Sequence, residues 1–163
     1  IELDTSNLIL CLCGAIPIET QKLIGKNPKI QCIGYLSSSE LVKFCNTVDG
    51  FVNPRPEEVF GGEFNFPSKV LEYLSYGKVI ISTQTPGLAP YYNEVLLFYD
   101  SRVIDSLEAT LEKFSQMTDK DFLAYRTKID NFIFKYKRND KVRIDLIGWI
   151  KALAEKVERK RTV

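Results

Sequence analysis

The chain of 163 residues contains no histidine. That absence removes the usual proton carrier near neutral pH, and with it most acid/base and nucleophile schemes for this chain taken alone. It also removes the commonest partner of cysteine in zinc sites. Net charge of one sign is absent too: 22 Lys and Arg against 21 Asp and Glu leave +1, with no global field to draw nucleic acid, and the aromatics do not interleave with basic runs. Nucleic acid is therefore not an expected partner. No apolar run approaches the roughly 18 to 20 residues that cross a bilayer. The apolar start around Leu8 to Cys13 lacks the charged front and cleavage site of a signal peptide. A cytoplasmic protein is the expectation.

Cysteine is scarce and unpatterned. Cys11, Cys13, Cys32 and Cys45 lie on apolar segments without metal-ligand spacing, and they read as buried free thiols in a reducing compartment. Internal repeats and low-complexity linkers are lacking as well. What is present is the balance of a soluble globular domain, 45% apolar and 26% charged, at a length that suits one domain.

Short apolar runs alternate with helical patterns, which predicts an α/β layer structure with a mostly parallel sheet. Strands are expected at Leu8 to Cys13, Lys29 to Ile33, Gly50 to Asn53, Val79 to Ser82 and Val95 to Tyr99. Helices are expected at Ile18 to Ile24, Ser38 to Asn46 with Ser38 or Ser39 as cap, and Ser68 to Ser75. Three more follow at Val103 to Phe114, Asp119 to Phe134 and Lys141 to Arg159. The whole, 1–163, reads as a single domain, with the sheet and its loops in 1–102 and terminal helices in 103–163.

In open α/β sheets ligands bind beyond the carboxyl ends of the strands, so those loops form the default site. The connection from Pro54 to Pro67 is longer than the usual two to six or so residues. At its end, Ser68 reads as the cap of a helix whose first amides would attract an anion, with Lys69 adding an ammonium. Glu72, one turn on, is placed to accept from a ligand hydroxyl. Arg55, between two prolines, has a restricted backbone and is read as aimed into the cleft. Each has a plainer reading: cap, solvated lysine, surface carboxylate.

Glu57, Glu58 and Glu63 make an acidic loop too loosely spaced for a metal, and none is expected. Gly61 and Gly62 mark a loop tip, since no strand precedes them directly and no GKS or GKT follows. Lys156, Arg159, Lys160 and Arg161 suit a solvated helix end. Contact with an anionic membrane surface, at the inner face of the plasma membrane, is the sharper alternative.

Taken together, LILCLCG, then KIQCIGYLSSSELVKFCNTVDGFVNPRP, then FNFPSKVLEYLSYGKVIISTQTPG resemble the nucleotide-sugar-binding half of retaining glycosyltransferases with two facing Rossmann-like domains, in the family 4 group. The run FPSK-x-x-EY-x-x-x-GK-x-I-I-S-T is similar to the version in enzymes that build capsular or cell-surface polysaccharides. The resemblance covers most of the chain. It implies a Rossmann-like parallel sheet with flanking helices, the C-terminal half of a GT-B enzyme. The donor, a UDP-sugar or GDP-sugar, would be a substrate, and no cofactor is implied. The acceptor would be a saccharide or a lipid-linked saccharide.

By the same resemblance Pro67, Ser68 and Lys69 approach the donor diphosphate, Glu72 holds the ribose hydroxyls, and Gly34, Tyr35 and Leu36 run past the nucleobase. The sequence departs from the family where a glutamate often contacts the donor sugar: that position is Phe64, with Glu63 beside it. The family's half-domain also begins with one more strand and helix, so the chain resembles a piece truncated at its N-terminal edge. It would lack the facing N-terminal domain with the acceptor site and catalytic residues, and be inactive alone. A non-catalytic α/β module that binds a nucleotide or a protein is the alternative. A flavodoxin-like receiver is disfavoured, because no acidic cluster follows the first strand.

Overall fold

A computed structural model describes residues 7–25, 27–55, 67–85, 87–88 and 90–137. The chain is α/β, with parallel strands flanked by helices. In order, β1 (Leu10–Cys13), α1 (Ile18–Ile24), β2 (Ile30–Gly34), α2 (Ser38–Thr47), β3 (Gly50–Asn53), α3 (Ser68–Ser75), β4 (Val79–Thr83), β5 (Leu97–Tyr99), α4 (Ile104–Ser115) and α5 (Asp119–Tyr136) follow one another. A short 3₁₀ helix, Pro90–Glu94, precedes β5. It takes up the approach to the fifth strand, so that strand begins at Leu97 rather than at the expected Val95. The expected helix from Lys141 to Arg159 lies outside the described residues.

The strands form two parallel sheets instead of the one expected. β1 pairs with β2, while β3, β4 and β5 pair in that order. The division follows burial. All five residues of β4 are buried, as a central parallel strand requires, whereas β1 is half-exposed.

The core therefore sits around β4. Val79 and Ile80 share one cluster with Val70 and Leu74 of α3 and Ile129 and Phe132 of α5, and Ile81 is buried beside them in the strand. Val70 and Leu74 are one turn apart, so a single stripe of α3 faces the sheet. Gly77 ends α3 with φ +65, donating its amide to the Leu74 carbonyl at 3.0 Å. A side chain there would be strained by that φ and would meet Arg126.

Two capping boxes fix helix starts. At α2 it is Ser37, not the expected Ser38 or Ser39, that caps: its hydroxyl accepts from the Glu40 amide and the Glu40 carboxylate accepts from the Ser37 amide. Hydrogen bonds donated to the Glu40 carboxylate, first by the Ser37 hydroxyl and then by the Ser37 amide, hold that carboxyl below its ordinary range. Thr118 and Asp121 repeat the arrangement at α5.

The thiols are free, but only Cys45 is buried; Cys11 is half-buried, and Cys13 and Cys32 are exposed. The expectation of four buried thiols fails because β1 and β2 gain little cover, so apolar composition there does not translate into burial. Ile9 and Leu10 are exposed beside them.

Tyr125 of α5 reaches across the core to donate its hydroxyl to the Val95 carbonyl at 2.7 Å. Burial pushes its phenol, and that of Tyr92, well above the ordinary tyrosine range. A pKa raised on folding means that the unfolded chain releases the proton first, so stability falls as pH rises. The contribution of these phenols is fully present below about pH 10 and is lost above it. Urea melts from pH 8 to 11 should show this alkaline loss, with a shallower slope in Tyr125→Phe. An unchanged slope in that variant would show that Tyr125 does not carry it.

Candidate functional site

The carboxyl ends of the strands bring most of the selected residues into two groups. Gly34 ends β2 with φ +78 and accepts the Gly14 amide at 2.7 Å, which ties the ends of β1 and β2 together. Beyond it Tyr35 is 88% exposed, while Leu36 is half-buried. An exposed aromatic on a strand-end loop offers a stacking face.

The second group lies where β3 and β4 end and α3 begins. Pro67, not Ser68, occupies the position before the helix, and no side chain caps it. Proline lacks an amide, so the first amides at the start of α3 belong to Ser68 and Lys69, both exposed residues. Pro67 itself is fully buried and anchors that start. Its carbonyl accepts the Val70 amide at 2.9 Å.

Lys69 and Glu72, assigned to different parts of a ligand, meet each other: Nζ lies 2.7 Å from Oε2. The bond to Glu72 raises the Lys69 ammonium above its ordinary range. Their side chains are 59% and 39% exposed, so the pair contributes little, at most about 1 kcal/mol. A ligand carrying a phosphate for Lys69 and a hydroxyl for Glu72 can replace that contact at small cost.

Behind α3, Tyr73 stacks on Phe51 of β3 with ring centroids 4.4 Å apart and planes 2° from parallel. This contact fixes the helix against the strand. Burial, first of all, pushes the Tyr73 phenol up.

Arg55, half-buried, follows the end of β3, its amide bonded to the Asn53 carbonyl at 3.0 Å. Asn53 donates from Nδ2 to Ser82 Oγ at 3.0 Å, and Thr83 donates its hydroxyl to the Arg55 carbonyl. Sequence reasoning passed over Asn53, Ser82 and Thr83. The signal available was the change from apolar to hydroxyl side chains at the end of β4, VII followed by ST. Glu63 and Phe64, expected on the donor-sugar side, and Glu57 and Glu58 lie outside the described residues.

Among the described residues no group of three carboxylates, thiols or imidazoles is placed to hold a metal ion, and no helix is long and apolar enough to cross a membrane. An open groove of about 490 Å³ lies elsewhere, along α5 and the 3₁₀ helix, and contains none of the selected residues. Its walls, Asn93, Glu94, Lys128, Asn131, Phe132 and Lys135, mix charges without converging on one ligand chemistry.

Fold and site together define an α/β chain in which α3 starts without a side-chain cap and with Ser68 and Lys69 exposed. No family model matches the chain. No significant match appears among curated proteins.

Proposed function

We propose that this chain is the donor-binding domain of a glycosyltransferase of GT-B type, taking a nucleoside diphosphate sugar and serving transfer to a saccharide or lipid-linked acceptor. The observation that carries the reading is the start of α3: exposed first-turn residues with uncapped amides, a buried proline behind them, and Lys69 and Glu72 one turn apart. Amides and ammonium suit a diphosphate, and a carboxylate suits the vicinal hydroxyls of a ribose. The parallel strands that end at this surface support the reading, because that is where such folds take ligands.

In the transfer the bond between the sugar's anomeric carbon and the diphosphate oxygen breaks, and the electron pair leaves with the diphosphate. The acceptor hydroxyl oxygen bonds to that carbon, and its proton passes to the departing diphosphate. Fixed dipoles at the α3 start and the Lys69 ammonium would stabilise the leaving charge, without reorganising as it develops. Arg55 is the second cation of this site.

Thermal melts with UDP, GDP and their sugars test the reading. Ligand at a hundred times its dissociation constant adds roughly 2.7 kcal/mol of stability. Glu72→Ala should lose most of the shift given by UDP or GDP while keeping that given by inorganic pyrophosphate, which has no ribose. A folded parent that no nucleoside diphosphate stabilises would sink the proposal.

A further inference from the structure

Two threonines stand two residues apart at the end of β4, and only one of their hydroxyls is bonded. Thr83 is fully buried and donates to the Arg55 carbonyl. Thr85 is 7% exposed, and its hydroxyl is buried without a partner. A hydroxyl at the end of a fully buried strand is unfavourable unless it is bonded, so the Thr83 contact is what makes that residue suitable there.

The bond acts on a chain already held from the other side. The Arg55 amide donates to the Asn53 carbonyl at 3.0 Å, and Asn53 is itself held by Ser82, whose hydroxyl donates to the Thr83 carbonyl at 2.9 Å. Arg55 is thereby tied at its amide and at its carbonyl, just where the chain leaves the sheet. A side chain meant to meet an anion with little ordering cost needs a fixed root, and these two bonds supply one.

We infer that Thr83 is a positioning residue: its buried hydroxyl fixes the backbone of Arg55, and so the origin of the guanidinium that meets the donor diphosphate. The inference rests on the donor-site reading above for its ligand, and on the Thr83 to Arg55 bond for its geometry. Apolar replacement at 83 should loosen Arg55 and weaken anion binding together. The same replacement at 85, where no bond is lost, should do neither.

The experiment compares the full chain with Thr83→Val, Thr83→Ser and Thr85→Val. Dissociation constants for UDP and GDP come from calorimetry, and the order parameter of the Arg55 amide from nitrogen relaxation. Thr83→Val should weaken binding roughly three- to tenfold, the worth of one net hydrogen bond, and lower the Arg55 order parameter. Thr83→Ser should restore both, and Thr85→Val should match the parent in both and melt no lower. An Arg55 amide in Thr83→Val as ordered as in the parent overturns the inference, as does a loosened amide with unchanged affinity. Failure of the donor-site reading is seen separately, because then the parent itself binds neither nucleotide; the binding half of the inference falls with it, and the Arg55 order parameter still decides the positioning half. Thr83→Ala removes the same hydroxyl with less bulk and replaces Thr83→Val if that variant does not fold.

Discussion

Phe132→Ala should lower the stability of the domain by about 3–5 kcal/mol, the usual cost of emptying a buried aromatic site. Phe132 is 1% exposed and lies at the centre of an aromatic group. Its ring centroid is 5.0 Å from that of Tyr92, 5.1 Å from Tyr136 and 5.8 Å from Tyr91. Tyr91 and Tyr136 are stacked on each other at 4.5 Å, so neither can turn in to fill the space without losing that contact. Against a typical total of about 5–15 kcal/mol, such a loss is a large fraction of what holds the chain folded. Denaturant melts should show a lower midpoint at constant slope. Phe134→Ala, on the same helix but 64% exposed, should barely move it. A loss under about 1 kcal/mol at Phe132 would mean that α5 is not seated on β4 as described.

The second large effect is expected at Gly50, the first residue of β3. A β-carbon there would lie 2.9 Å from Phe114 Cε2, 3.0 Å from Phe114 Cζ and 3.0 Å from the Val79 carbonyl oxygen. The ring edge can swing away, but the carbonyl belongs to the paired strand, where Gly50 faces Val79 in register. Relief thus requires opening the ladder between β3 and β4. Overpacking of this kind costs about 1–3 kcal/mol. That outweighs the roughly 0.4–1 kcal/mol that an alanine gains over glycine through the unfolded chain. Gly50→Ala should therefore destabilise, with part of the loss recovered by adding Phe114→Leu. Parent-like stability in Gly50→Ala would refute the close approach of these strands.

Both effects belong to a layer only partly legible in the sequence. The run VII at 79 to 81 announces a buried strand, because no other element of that length tolerates apolar side chains on both faces. Helix α3 and strand β3 are likewise fixed by local signals: a proline at the start, a glycine at the end, and a short apolar run before Pro54. The 3₁₀ helix at Pro90–Glu94 carries no such periodicity, which is why the fifth strand begins later than its apolar run. Ser37 could have been recognised as a cap from Glu40 three positions on; three consecutive serines hid it.

The site divides in the same way. Lys69, Glu72 and Arg55 stand out in the sequence because charge beside a helix start, and arginine between prolines, are local patterns. Their relations do not. That Lys69 and Glu72 bond to each other depends on side-chain geometry over one turn, and that Thr83 holds Arg55, 28 residues away in the chain, depends on β3 and β4 pairing in parallel so that their carboxyl ends lie side by side.

By itself, then, the sequence determined the α/β class, the places of the central strands and helices, and the absence of histidine chemistry, since these follow from composition and short-range periodicity. Only the tertiary structure decided which strands pair, which thiols are buried and which hydroxyl holds Arg55, because pairing and burial are set by contacts between segments distant in the chain. Those contacts divide the expected single sheet in two, leave β1 half-covered, and fasten the backbone of Arg55 to β4, whose residues are all buried.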